Sequence, residues 1–224
     1  MNGTDALEHD TFPLSRGELK IYFVGHGTLM LSYDGFIIHV DPVSEYADYT
    51  MMPKADVILV THQHFDHLEK EAVEAVCSDT TVIFLDGESA GILGTGTVIR
   101  NGDTVTITPY IELRAVPAYN TTEDRTTFHP KGRDNGYILS FEGLTVYIAG
   151  DTEPIPEMAD LGRIDIAFLP MNQPYTMTPR QAAEAAATIK PGILYPYHYG
   201  STDTGILVRL MESSPTEVRI RPLA

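Results

Sequence analysis

Apolar and polar positions from Leu19 to Pro42, LKIYFVGHGTLMLSYDGFIIHVDP, fall into short β-rich runs broken at Gly25-His26-Gly27 and at Asp34-Gly35. The second break has the residue types of a tight hairpin turn, so the stretch predicts successive strands. Asp56–Val60, DVILV, is apolar after its first residue and largely β-branched, the pattern of a strand buried on both faces. It leads directly into THQHFDHL. Beyond that, Ala72, Val73 and Val76 recur at helical spacing across residues 69–77. A histidine-rich loop is therefore expected between a buried strand and a helix.

Residues 80–86, 97–119 and 135–151 predict further short strands, with turns at Asn101-Gly102 and Glu142-Gly143. Asp165–Leu169 is a second buried-strand pattern, Pro179–Ile189 an Ala-rich helix opened by proline, and residues 192–200 return to strand. Two blocks of strands followed by helix, with no linker between them and no repeat at sequence level, imply an α/β four-layer αββα sandwich in a single domain. Residues 1–18 read as a polar N-terminal arm, in which His9 is expected to be disordered, and residues 19–224 as the domain. GILGTGTV at 91–98 lacks the residues of a nucleotide loop and reads as a turn.

With 43% hydrophobic and 21% charged residues over 224 positions, disordered and collagen-like classes are excluded. No apolar run approaches the roughly 18 residues of a membrane span, and the start lacks the pattern of a secretory signal. The expectation is a cytoplasmic protein with no membrane partner. The single cysteine, Cys77, permits neither an internal disulfide nor a cysteine-rich zinc cluster, so any metal must be held by His, Asp or Glu. A net charge of -16, from 15 basic and 31 acidic residues, disfavours a nucleic-acid partner and tolerates bound cations.

The candidate chemistry is concentrated in His62, His64, Asp66 and His67, four ligands in six positions. One ion rarely takes all four, and the spacing suits two divalent metals that share a hydroxide. A solvated polar loop is the competing reading.

This pattern resembles the metallo-β-lactamase-fold hydrolases, whose HxHxDH motif stands here as His62, His64, Asp66 and His67 after Thr61. Gly25-His26-Gly27-Thr28, Asp41-Pro42, Gly150-Asp151-Thr152 and Tyr197-His198-Tyr199-Gly200 follow the family's order, so the resemblance spans nearly the whole chain. It is nearest to the branch of ascorbate-6-phosphate lactonase and N-acyl-phosphatidylethanolamine phospholipase D. The resemblance implies Asp151 as a bridging carboxylate and His198 as a ligand joining Asp66 and His67. It also implies Asp41 as a carboxylate that orients a ligand histidine, against the alternative of an ordinary Asp-Pro turn. The sequence departs from the family at Asn120, where a third histidine is usual for the site of His62 and His64. His129 is the only histidine between 67 and 198 and is the candidate to fill that place; an exposed loop histidine is the alternative. His26 either lines the pocket as a hydrogen-bond donor or acid, or caps its turn. Asp66 and His26 are the candidate catalytic residues.

The implied activity is metal-dependent hydrolysis by a metal-bound hydroxide, on a small, anionic ester or lactone. Zinc is the first choice on its His-rich ligands, with manganese or iron open. Lys131 and Arg133 are candidate anion contacts, and Tyr119, Tyr175, Tyr197 and Tyr199 candidate oxyanion donors. The rivals are an iron-dependent oxygenase or redox protein on the same fold and a non-catalytic metal-binding protein. Oligomeric state is not legible.

Overall fold

Alternating strands in the first half pair as a meander. The computed structural model describes residues 3–4 and 6–224, so Met1, Asn2 and Asp5 of the expected arm lie outside the described residues. The chain divides into two compact units, Met1–Ile99 and Arg100–Pro222. In the first, β1 (His9–Leu14), β2 (Gly17–Gly25), β3 (Thr28–Tyr33) and β4 (Phe36–Val40) are antiparallel neighbours. Parallel strands β5 (Val57–Leu59), β6 (Val82–Leu85) and β7 (Thr97–Val98) complete a seven-stranded sheet. The parallel crossovers contain α1 (Lys70–Val76) and α2 (Gly87–Leu93).

The second unit repeats that order without repeating the sequence. β8 (Thr104–Thr108), β9 (Ile111–Ala118), β10 (Asp134–Phe141) and β11 (Leu144–Ile148) form the meander. β12 (Ile166–Pro170), β13 (Ile193–Tyr197) and β14 (Glu217–Val218) add in parallel, with α3 (Pro179–Ile189) and α4 (Thr204–Leu210) in the crossovers. Two mixed sheets, each with helices, give the α/β class expected from the sequence.

Hairpin chemistry fixes the register. Asp34-Gly35 and Glu142-Gly143 turn with φ of 50° and 81°, and of 49° and 98°, the left-handed pair that joins β3 to β4 and β10 to β11. Helix α1 buries Ala72, Val73 and Val76 in a cluster with Met30, Ile58 and Val60. Each buried valine, isoleucine or methionine there contributes about 1.5–3 kcal/mol relative to exposure. Helix α3 starts at a capping box between Thr178 and Gln181 and buries Ala182, Ala185, Ala186 and Ile189 with Leu169 and Leu194.

Two expectations change. His9 is not in a disordered arm: it pairs opposite Tyr22 in the β1–β2 ladder, with ring centroids 4.8 Å apart. Gly91-Ile92-Leu93 is not a turn but the end of α2, whose glycines disfavour helix. Asp86 rescues it by accepting from the Glu88 and Ser89 backbone N–H groups, and Gly94 ends it at φ 74°. Only Gly94-Thr-Gly96 turns, before β7. Among the described residues no helix is long and apolar enough to cross a membrane.

Candidate metal centre

In the first unit, Asp41 follows β4 at a left-handed φ of 47° and is fully buried. Its Oδ1 accepts from the Thr61 N–H at 2.7 Å, and its Oδ2 accepts from Thr61 Oγ1 at 2.7 Å and from His67 Nδ1 at 2.8 Å. An ionised carboxylate only accepts, so both of these partners carry hydrogen toward Asp41. The Thr61 oxygen is then the acceptor for His62 Nδ1–H at 3.0 Å. One carboxylate thus sets two tautomers, leaving the lone pairs of neutral His62 and His67 on Nε2. Burial raises the Asp41 carboxyl above the usual carboxylate range, opposed by its bonds from His67 and Thr61.

The motif folds because the His64 carbonyl accepts from both the His67 and Leu68 N–H groups at 2.9 Å. His62 Nε2 then lies 3.0 Å from His64 Nδ1, and His67 Nε2 lies 4.0 Å from Asp66 Oδ2. His62 Nε2 can accept from His64 Nδ1–H there, and with the His64 proton on its other nitrogen the two imidazoles would present facing lone pairs, a donor set that suits a divalent metal.

His26, at φ 51°, stacks on Tyr46 with centroids 5.5 Å apart and directs Nε2–H to Asp66 Oδ2 at 3.3 Å. It does more than cap its turn. Gly27 is required beside it, because a Cβ there would stand 2.6 Å from His67 Cε1.

The second unit gathers its candidates from separate segments. Asp151 follows β11, and His198 follows β13 at φ 48°. His129 lies in the loop between β9 and β10 and is buried, so the exposed alternative does not hold. Asp151 Oδ2 is 3.4 Å from His129 Nε2 and 3.3 Å from His198 Nε2. Asn120 Nδ2 donates to the Tyr175 carbonyl at 2.8 Å, which turns its Oδ1 to His129 Nδ1–H at 2.6 Å. The lone pair of a neutral His129 therefore faces the Asp151 carboxylate. Two acceptors at that separation call for a cation between them, or a proton.

Of the six non-glycine residues at left-handed φ among those described, Asp34 and Glu142 are hairpin turns and Lys190 ends α3. The others are His26, Asp41 and His198. Each costs of order 1–3 kcal/mol, a strain that accompanies functional sites.

Several expected helpers are engaged elsewhere. Lys131 Nζ pairs with Glu157 at 2.8 Å, and Arg133 with Asp134 at 2.6 Å, so their charges are balanced by carboxylates rather than offered to an anion. Tyr119 donates to Glu157 at 2.8 Å and Tyr199 to the Arg221 carbonyl at 2.8 Å, which assigns both hydroxyls to structure. Tyr197 is fully buried, and Tyr175 is half-exposed against the edge of Phe128. Tyr46 and Glu153 escaped the sequence reading. Burial would raise the Glu153 carboxyl, but bonds from Thr122 and Thr121 outweigh it and hold the group below its ordinary value. The only available signal was an acid two residues past Asp151.

The family described as the beta-lactamase superfamily domain matches residues 20–198. A UPF0173 metal-dependent hydrolase of Thermococcus kodakarensis is 32% identical over 196 residues, covering 82% of this chain and 85% of that one. A crystal structure from Parabacteroides distasonis, of a protein assigned as a metal-dependent hydrolase, shares 57% identity. It superposes with a TM-score of 0.95 over 97% of this chain and all of that one. The metallo hydrolase Igni18 of Ignicoccus hospitalis, 23% identical, shares the fold at a TM-score of 0.73 over 92% of this chain and 96% of that one.

Proposed function

The chain belongs to the metallo-β-lactamase superfamily, within its UPF0173 metal-dependent hydrolases, and from that membership we propose a dinuclear hydrolase of a small anionic ester or lactone. His62, His64 and His129 would hold one ion, Asp66, His67 and His198 the other, with Asp151 shared. That grouping rests on the ligand order implied by the family resemblance. The observation that carries the reading is Asp151 Oδ2, within 3.4 Å of two imidazole nitrogens on segments remote in sequence. Divalent ions held there would lower the pKa of bound water to near neutrality and polarise the scissile carbonyl.

The chain's own residues hold and orient. Asp41 keeps His67 in the tautomer that presents Nε2, and Asn120 does the same for His129. His26 holds a proton on Nε2 toward Asp66 and is the candidate acid for a leaving oxygen. With Lys131 and Arg133 paired, the positive field for an anionic substrate would come from the metals. The hydrolase names of the relatives support hydrolysis over iron-dependent oxygenation, and the intact donor set supports it over a non-catalytic role. His-rich ligation favours zinc. The lactone assignment rests on the resemblance to the lactonase branch.

The test is metal analysis of purified protein followed by a hydrolysis panel of lactones, carboxylic esters, phosphodiesters, thioesters and β-lactams. Chelator-sensitive turnover of a lactone or ester, restored by zinc, is the expected result. Cleavage of phosphodiesters alone would reject the bond class, and no turnover of any class would favour the non-catalytic rival.

A further inference from the structure

His129 has to be held without a strand. It sits in residues 119–133, a connection between β9 and β10 with no helix or strand of its own. A loop of that length costs conformational entropy to order, so something must fix it. The fixing group is a carboxylate. Glu153 is fully buried, and its Oε2 accepts from the Thr121 and Thr122 backbone N–H groups at 2.7 and 2.6 Å and from Thr121 Oγ1 at 3.1 Å. Its Oε1 accepts from Thr122 Oγ1 at 2.7 Å and lies 3.5 Å from Arg125 Nη1.

The clamp extends on both sides. The Tyr119 carbonyl accepts from the Glu153 N–H at 3.0 Å, which pins the start of the loop. Arg125 Nη1 reaches Gln173 Oε1 at 2.6 Å, which braces its middle. Asn120, adjacent to the clamped threonines, is bonded to His129 twice. Its backbone N–H donates to the His129 carbonyl at 2.9 Å, and its side-chain oxygen accepts from His129 Nδ1 at 2.6 Å. The segment Asp151–Glu153 therefore carries both the carboxylate that faces His129 Nε2 and the one that anchors the loop presenting it.

We infer that Glu153 is a positioning residue for His129, setting metal affinity at the site His129 serves by locking Thr121-Thr122 and, through Asn120, the imidazole. The inference rests on the reading of His129 as a metal ligand. Both Glu153 oxygens face donors. Glutamine at 153 must turn its NH2 toward one of those donors, which loosens the clamp at almost unchanged volume. The role requires a site-selective effect, because placement errors at one ligand weaken its own ion first.

The experiment measures zinc affinity at both sites of the full chain by chelator competition, in wild type, Glu153→Gln, His129→Ala and the double variant. Glu153→Gln is expected to weaken the site that His129→Ala weakens by roughly 10–100-fold, leaving the other within about twofold. The double variant is expected to bind like His129→Ala alone. Equal loss at both sites, or a further loss in the double variant, would overturn the inference, since a general loss of stability acts that way. Thr122→Val, which removes one donor and keeps the carboxylate, is expected to show the same selectivity more weakly, and it serves if Glu153→Gln does not fold. His129→Ala weakening one site while neither Glu153→Gln nor Thr122→Val does would end the inference alone. His129→Ala leaving both affinities unchanged would overturn the ligand reading and the inference with it.

Discussion

Asp41 and Asp151 occupy the same topological place, each just past the fourth strand of its unit, and do different work. Asp41 acts within its own unit: it binds Thr61 twice and His67 once, and so sets the tautomers of His62 and His67. Asp151 instead faces the Nε2 atoms of two histidines brought from β13 and from a loop. On the proposed ligation, the first unit would draw its ligands from six consecutive positions in one tight turn. The second would draw its ligands from three distant segments, one of which, the loop of His129, is tied down by Glu153 and Asn120. A local set is rigid through its own turn, while a dispersed set depends on residues that never touch the metal.

Substitutions separate these modes, the largest effects first. Asp151→Ala should remove metal binding more severely than the roughly 10–100-fold typical of residues that only orient ligands. Chelator-competition titration checks this, and an affinity loss below tenfold would equate Asp151 with those orienting residues. Asp41→Asn should fall within that 10–100-fold range for metal and also cost about 1–3 kcal/mol in unfolding by urea, because a buried donor then faces an amide N–H. Asn120→Ala should cost less affinity than His129→Ala, since it removes the support and leaves the imidazole. The opposite ranking, read from zinc titrations, would make Asn120 the ligand.

Another effect is pH-dependent and independent of the metal. His39 is buried, its Nε2 bonds the Pro53 carbonyl at 3.0 Å, and burial lowers its pKa to about 4, partly offset by that bond. As pH falls below the ordinary value near 6.5 the unfolded chain takes up the proton first. Stability from the neutral ring is thus present above about 6.5 and lost as pH falls toward 4, on the order of 3 kcal/mol at the limit. His39→Gln should flatten the decline in thermal midpoint across that window; an unchanged slope would show that other groups govern it. Cys77→Ser, at a partly exposed position where partial burial pushes the thiol pKa up, should change stability by no more than about 0.5 kcal/mol and leave turnover intact.

What the sequence discloses follows the same division. Most strands between Leu19 and Gly200, α1, α3, both hairpin turns and the HxHxDH turn are legible because each is written in consecutive residues, whereas α4 and β14 beyond Gly200 are not anticipated. α2 was obscured by its glycines and is held by the Asp86 cap, a contact that periodicity does not encode. β1 was mistaken for an arm because its burial alternates only between exposed and partial, as suits an edge strand. The repeated topology of the two units has no counterpart in residue identity. His129 could be nominated only by elimination, and Glu153 not at all, since its partners Thr121 and Thr122 lie some thirty residues away.

The most direct test of the proposed dinuclear ligation is the zinc stoichiometry of wild type, His62→Ala and His198→Ala. Two ions per chain in wild type, with loss of bound zinc and of hydrolytic turnover in either variant, is the expected result. Full zinc content in His198→Ala, or in His62→Ala, would contradict it.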